Sequence, residues 1–102
     1  MCEYPEVERI PSDLEKLLDR FFDVSRQDLE QMRNALHVRD FETLVRLGHT
    51  ARGTGSGYGF KGMGMIGHEI EQAALKRDPD ALEQHVDTLA RYLDTVRVEF
   101  DG

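Results

Sequence analysis

The chain has 102 residues, enough for one small domain with a single modest core, and a formal net charge of −7 from 20 acidic and 13 basic side chains. A phosphate backbone would be repelled by that balance, and the few aromatics sit at core-like spacing, so no nucleic acid is expected as a partner. Cys2 is the only cysteine, which excludes an internal disulfide and cysteine-rich zinc sites, and no stretch has the ~18 consecutive apolar residues of a membrane span.

The opening "MCEYPEVERI" lacks the apolar run of a signal peptide, so a reducing cytoplasm is the expected setting. Residues 1–11 read as an irregular N-terminal extension, with Cys2 in a frayed end. From there apolar residues recur at three and four, the helical period, and no strand pattern stands out. "PSDLE" offers Ser12 as an N-cap with Glu15 three residues on, a capping box. Leu14, Leu17, Leu18, Phe21 and Phe22 follow as an apolar stripe. Leu29, Met32 and Leu36 continue it after a bend near Asp23 to Ser25. "HVRD" is a short connector in which Asp40 caps the helix beginning "FETLVRLGH". The next helix runs from about Gly62 to Lys76 with Met63, Ile66, Ile70 and Ala73 on one side, and Tyr58 and Phe60 plug the end where the chain turns into it. In "RDPDALEQ" Asp78 caps and Pro79 takes the first helical position. The last helix carries Leu82, Val86, Leu89, Leu93, Val96 and Phe100. The predicted fold is all-α: an antiparallel up-and-down four-helix bundle with a short extra N-terminal helix or bend, a single domain over 1–102.

Eight of the nine glycines fall between Gly48 and Gly67, beside one histidine, in "LGHTARGTGSGYGF" and its continuation. Each glycine in a helix interior costs roughly 1 kcal/mol against alanine, so the cluster needs a reason. At about 100° per residue, Phe41, Leu44, Leu47, Gly48, Ala51 and Gly55 share one side of the helix. His49 falls on the other, near Val45, Arg46, Arg52, Gly53 and Ser56. Gly48 and Gly55 are explained by close helix packing. Gly53, on the exposed side, has no packing reason, and with Ser56 it leaves the imidazole uncovered for the approach of another protein. Imidazole is a competent nucleophile near neutral pH, and a phosphoryl group on it would carry about two negative charges, which Arg46 and Arg52 would neighbour. Val45, apolar on the His49 face, and Met65, off the buried stripe of its helix, are candidates for contact with a partner.

"LGHTARGTGSGYGF" closely resembles the phosphoacceptor segment of histidine-containing phosphotransfer (HPt) domains. His49, Arg52, Gly53, Thr54, Gly55, Gly59 and Phe60 occupy the matching places. The likeness runs from "DLEKLLDRFF" through "IGHEIEQAAL" to "YLDTVRVEF". It implies a four-helix bundle that relays phosphoryl groups between receiver-domain aspartates in two-component signalling, fed by a hybrid sensor histidine kinase. Such a carrier has no autokinase activity and no intrinsic cofactor; Mg²⁺ comes with the partner receiver. It further implies His49 as the acceptor through Nε2, with Arg52 where lysine is usual. Arginine exchanges a point ammonium for a planar fork, which bears on how a phosphate is positioned. The initiator Met1 and the short tail after Phe100 suggest a free-standing protein, and a bundle that buries its own stripes is expected to be a monomer.

"GYGFKG" and "GMGMIG" fit the G-x-G-x-x-G spacing, but no strand precedes either, so they are not dinucleotide-binding turns. No phosphate-binding loop of the nucleotide-hydrolase kind is present. His37, His49, His68 and His85 lie on different segments, so no metal site is expected. His68 reads as a partly buried bundle residue or a polar neighbour at the end of the helix pair that carries His49, in a structural role. The alternative function is a non-catalytic helical adaptor or decoy that occupies a receiver or kinase domain without carrying phosphate; an intact His49 argues against it.

Overall fold

Three tight reversals divide the middle of the chain into four helices: α1 Leu18–His37, α2 Phe41–Tyr58, α3 Lys61–Leu75 and α4 Pro79–Thr95. The computed structural model describes residues 4–101; Cys2 lies outside the described residues. Each reversal has a residue in the left-handed region, Arg39 (φ 60°), Gly59 (φ 97°) and Arg77 (φ 54°). After it, an amide reaches back to a carbonyl five residues earlier: Asp40 N to Ala35 O at 2.8 Å, Phe60 N to Gly55 O at 2.8 Å, Asp78 N to Ala73 O at 3.0 Å. These bonds occupy carbonyls that a helix end leaves without partners. Asp40 and Asp78 then open the next helix, their carboxylates accepting from Thr43 N and Ala81 N at 3.1 Å. These two caps are those expected from the sequence, and Pro79 stands at the start of α4.

The inner faces follow the helical period. Met63, Ile66, Ile70 and Ala73 of α3 are buried, as are Leu82, Val86, Leu89 and Leu93 of α4. Phe60 is fully buried at the α2–α3 turn, stacked on Phe21 at 4.7 Å, with Tyr58 against the same ring at 4.5 Å. Arg26–Asp94 and Arg33–Asp87 pair across the α1–α4 surface at 2.8 and 3.1 Å.

Four expectations need correction. Helix α1 is continuous, with no bend at Asp23 to Ser25. Ser12 forms no capping box: residues Ser12–Leu17 make a 3-10 segment whose cap position is Pro11, which contributes no side-chain bond. Leu17 of that segment is exposed. Finally, the N-terminal extension is not irregular throughout. Val7–Pro11 forms strand β1, which pairs in parallel with β2, Arg97–Asp101, so Phe100 belongs to a strand and Val96 only caps α4.

This ribbon is tied to the bundle by a buried carboxylate. Glu8, 3% exposed, accepts from the Gly62 amide and the Tyr92 hydroxyl, both at 2.7 Å. Gly62 lies in the first turn of α3, where a negative charge is favoured by the helix dipole. Burial, and then the bond to Glu8, push the Tyr92 hydroxyl well above its ordinary titration range.

The closest packing is between α2 and α3, and glycines make it possible. A methyl at Gly48 would stand 2.7 Å from Glu71 N, one at Gly67 2.5 Å from Arg52 N, and one at Gly55 2.7 Å from Gly64 N. The pairs run antiparallel along the two helices. No larger residue fits at these positions without pushing the backbones apart.

Candidate functional site

His49 lies mid-way along α2 on its solvent side, with the side chain 71% exposed. The polar group it meets comes from the neighbouring helix. Its Nδ1 stands 3.3 Å from Oε2 of Glu71, and the other carboxylate oxygen, Oε1, accepts from Arg52 Nη1 at 3.2 Å. Glu71 is therefore shared by an imidazole and a guanidinium, one oxygen each. Its own side chain is only 14% exposed, beside the glycine seam. The backbone contact between Gly48 and Glu71 sets this geometry, since it brings the start of the Glu71 side chain level with His49.

The chemistry follows from donor and acceptor roles. An ionised carboxylate only accepts, so the favoured neutral imidazole carries its proton on Nδ1 and leaves the lone pair on Nε2. The carboxylate can also stabilise positive charge on the ring, as would develop if Nε2 attacked an electrophile. The Arg52 guanidinium has further donors that an anion there could use.

Around His49 the surface is open where the helical period predicts it. A methyl at Gly53 would meet no atom within 4 Å, and the same holds at Gly57. Ser56 is exposed, and its hydroxyl fills the space above Gly64, where a methyl would stand 2.6 Å from Oγ. Arg46 is exposed; the Thr43 hydroxyl and amide hold Asp40 low with Arg46 adding a smaller part, while burial leaves Asp28 raised against the pull of the same arginine. Val45 is half-buried and packs against the core, so only part of it faces outward. Met65 is 48% exposed, while Met63 is buried.

An open groove of about 600 Å³ runs along the α3 side of Arg52, lined by Lys61, Met65, His68 and Glu69. His68 is exposed there, so of its two expected placements it takes that of a polar neighbour beside the α2–α3 pair and not that of a partly buried bundle residue. The reason is the glycine seam: it turns Gly64 and Gly67 toward α2 and leaves Met65 and His68 outside. A smaller groove of about 150 Å³ lies on the other side, between α1 and α2, with Val24, Thr50 and Thr54 in its lining. Among the described residues no three His, Cys, Asp or Glu side chains gather where a metal would sit. No helix among the described residues is long and apolar enough to cross a membrane.

Glu71 is the residue that sequence reading did not single out for this site. A signal was available. Setting Gly55 against Gly64 in an antiparallel pair places Arg52 opposite Gly67 and Gly48 opposite Glu71, which puts the carboxylate beside His49.

Comparison with known proteins adds one match. Residues 16–99 fit the family model described as the Hpt domain, which spans all four helices. No curated protein and no solved structure matches the chain.

Proposed function

We propose, from the premise that this chain belongs to the Hpt domain family, that His49 takes a phosphoryl group from the phosphoaspartate of one receiver domain and gives it to the aspartate of another. Members of the family are phosphocarriers rather than kinases, and they act in two-component signalling by meeting receiver domains and kinases. The observation that carries the finer reading is the placement of His49: Nδ1 3.3 Å from Glu71, on a side chain 71% exposed, with open space at Gly53 one turn along the helix.

In the proposed step the Nε2 lone pair attacks phosphorus in line and the P–O bond to the aspartate breaks. The electron pair leaves with the aspartate carboxylate. The proton on Nδ1 stays, so the ring becomes an imidazolium facing Glu71. Mg²⁺ is expected to arrive with the receiver, and no intrinsic cofactor is assigned. Arg52 neighbours the phosphoryl group, and Arg46 is a second cation one turn away on the same helix. Met65 and the groove beside it are the proposed receiver contact, with the outer part of Val45 on the opposite flank. The carrier acts as a monomer in a reducing cytoplasm, fed by a hybrid sensor histidine kinase.

The test is transfer from a panel of ³²P-labelled receiver domains with Mg²⁺, using wild type and His49→Gln. Acid-labile, alkali-stable label on wild type alone supports the reading. Receiver binding by both proteins with transfer to neither overturns it in favour of the adaptor.

A further inference from the structure

We infer that Arg52 is a two-position residue, bonded to Glu71 while His49 is free and turned onto the phosphoryl group once His49 carries it. The inference rests on the reading of His49 as the acceptor.

Charge is the first argument. In the free protein Glu71 lies in a largely covered position, and Arg52 is the permanent cation that pairs with its carboxylate, whereas the imidazole must be uncharged to attack through Nε2. When Nε2 takes the phosphoryl group and Nδ1 keeps its proton, the ring itself becomes a cation, 3.3 Å from the same carboxylate. Glu71 then has a cation without Arg52, while a group of about two negative charges has appeared on the far side of the ring. If Arg52 stayed, one anion would hold two cations and the phosphoryl group would lack its nearest one. Exchange leaves every anion paired in both states.

Geometry is the second. Arg52 follows His49 by three residues on α2, so their side chains are neighbours on one helix face, about 5–6 Å apart at Cβ. The Arg52 side chain is half exposed and holds Glu71 through Nη1, which leaves further donors of the fork for a phosphate. Gly53 beside it bears no side chain, and nothing lies within 4 Å of where one would begin, so the guanidinium has room to swing. The carboxylate becomes a sensor of the acceptor's state: Arg52 shares it before transfer, and the imidazolium holds it alone afterwards. A lysine at the same position could move likewise, but its compact ammonium lacks the planar pair of parallel donors that a guanidinium presents to a phosphate.

The experiment uses the whole chain, ¹⁵N-labelled in arginine and histidine and ¹³C-labelled in glutamate. It is phosphorylated with phosphoramidate, whose P–N bond to ammonia breaks as the bond to Nε2 forms. Phosphorus NMR and mass spectrometry first establish that His49 is modified. The Arg52 guanidinium resonances should shift on phosphorylation. They should respond to Glu71→Gln in the free protein and lose that response in the phosphorylated one. The Glu71 carboxyl carbon should report the same exchange with no substitution. A phosphorylated His49 with unmoved Arg52 and Glu71 resonances overturns the exchange and leaves the acceptor reading standing. An equal response to Glu71→Gln in both states does the same. Failure of both phosphoramidate and labelled receivers to modify His49 overturns the acceptor reading and the exchange together.

Discussion

Gly48 and Glu71 are in backbone contact: a methyl on Gly48 would stand 2.7 Å from the Glu71 nitrogen and 3.0 Å from its Cα. The residue next to that glycine is His49, and the carboxylate that starts from that Cα is the one its Nδ1 meets. The glycine seam is therefore what delivers a side chain from α3 to an imidazole on α2.

Gly48→Ala should weaken both the fold and the site. Overpacking two backbones costs about 1–3 kcal/mol, against roughly 1 kcal/mol regained from helix propensity. Urea unfolding should show a net loss of stability, and phosphotransfer should fall further than stability explains, because Glu71 is pushed from His49. An unchanged midpoint and rate would mean that the seam is loose.

Gly53→Ala should behave in the opposite way. The added methyl meets nothing within the chain, so the helix gains about 1 kcal/mol, which corresponds to roughly 4–8 °C in Tm for a domain of this size. If the bare surface is docking clearance, transfer from receivers should slow while phosphorylation by phosphoramidate stays as fast as in wild type. Equal receiver rates would show that Gly53 clears nothing.

Glu71→Gln keeps the shape and removes the charge that faces the ring. A pair of unit charges about 4 Å apart is worth about 1 kcal/mol in bulk water and about 4 kcal/mol near a protein surface, so the transfer rate should drop at least roughly fivefold with the melting temperature little altered. Rapid-quench kinetics on folded protein provides the comparison. Arg52→Lys should retain transfer with a changed rate or partner preference; if neither changes, arginine has no special part here.

Tyr92→Phe removes one of two donors to the buried Glu8 carboxylate, at a cost of about 1–3 kcal/mol near neutral pH. It should also change the alkaline limb of the stability curve. Below the tyrosine's ordinary value near 10 the hydroxyl is protonated whether the chain is folded or not, so pH has no effect through it. Above 10 the unfolded chain ionises Tyr92 while the folded one, with its raised value, does not. The unfolded state then binds fewer protons, and stability falls by up to about 1.4 kcal/mol per pH unit. The wild-type curve should lose this component in Tyr92→Phe, as read by denaturant unfolding between pH 9 and 11.

Much of the molecule was legible before any folding was considered. Helix periods, the Asp40 and Asp78 caps, Pro79, the Phe60 plug and the outward side of His49 all depend on residues within a turn or two of each other, and local spacing encodes them. The ribbon was not legible for a specific reason. In "VERIP" the buried positions are Glu8 and Ile10, so a carboxylate sits where alternation calls for an apolar residue. "RVEFD" does alternate, but it follows a helix whose apolar period runs on to Val96.

The amino-acid order by itself determined that one exposed histidine would sit on a bundle helix with cations and a bare glycine around it. Only the tertiary structure decided what the histidine would touch. Glu71 reaches His49 because two glycine faces let α2 and α3 approach until backbone meets backbone, and Glu8 becomes buried because strands from opposite ends of the chain pair. Both are contacts between residues far apart in sequence. Their partners are chosen by how helices and strands pack, which no local period records.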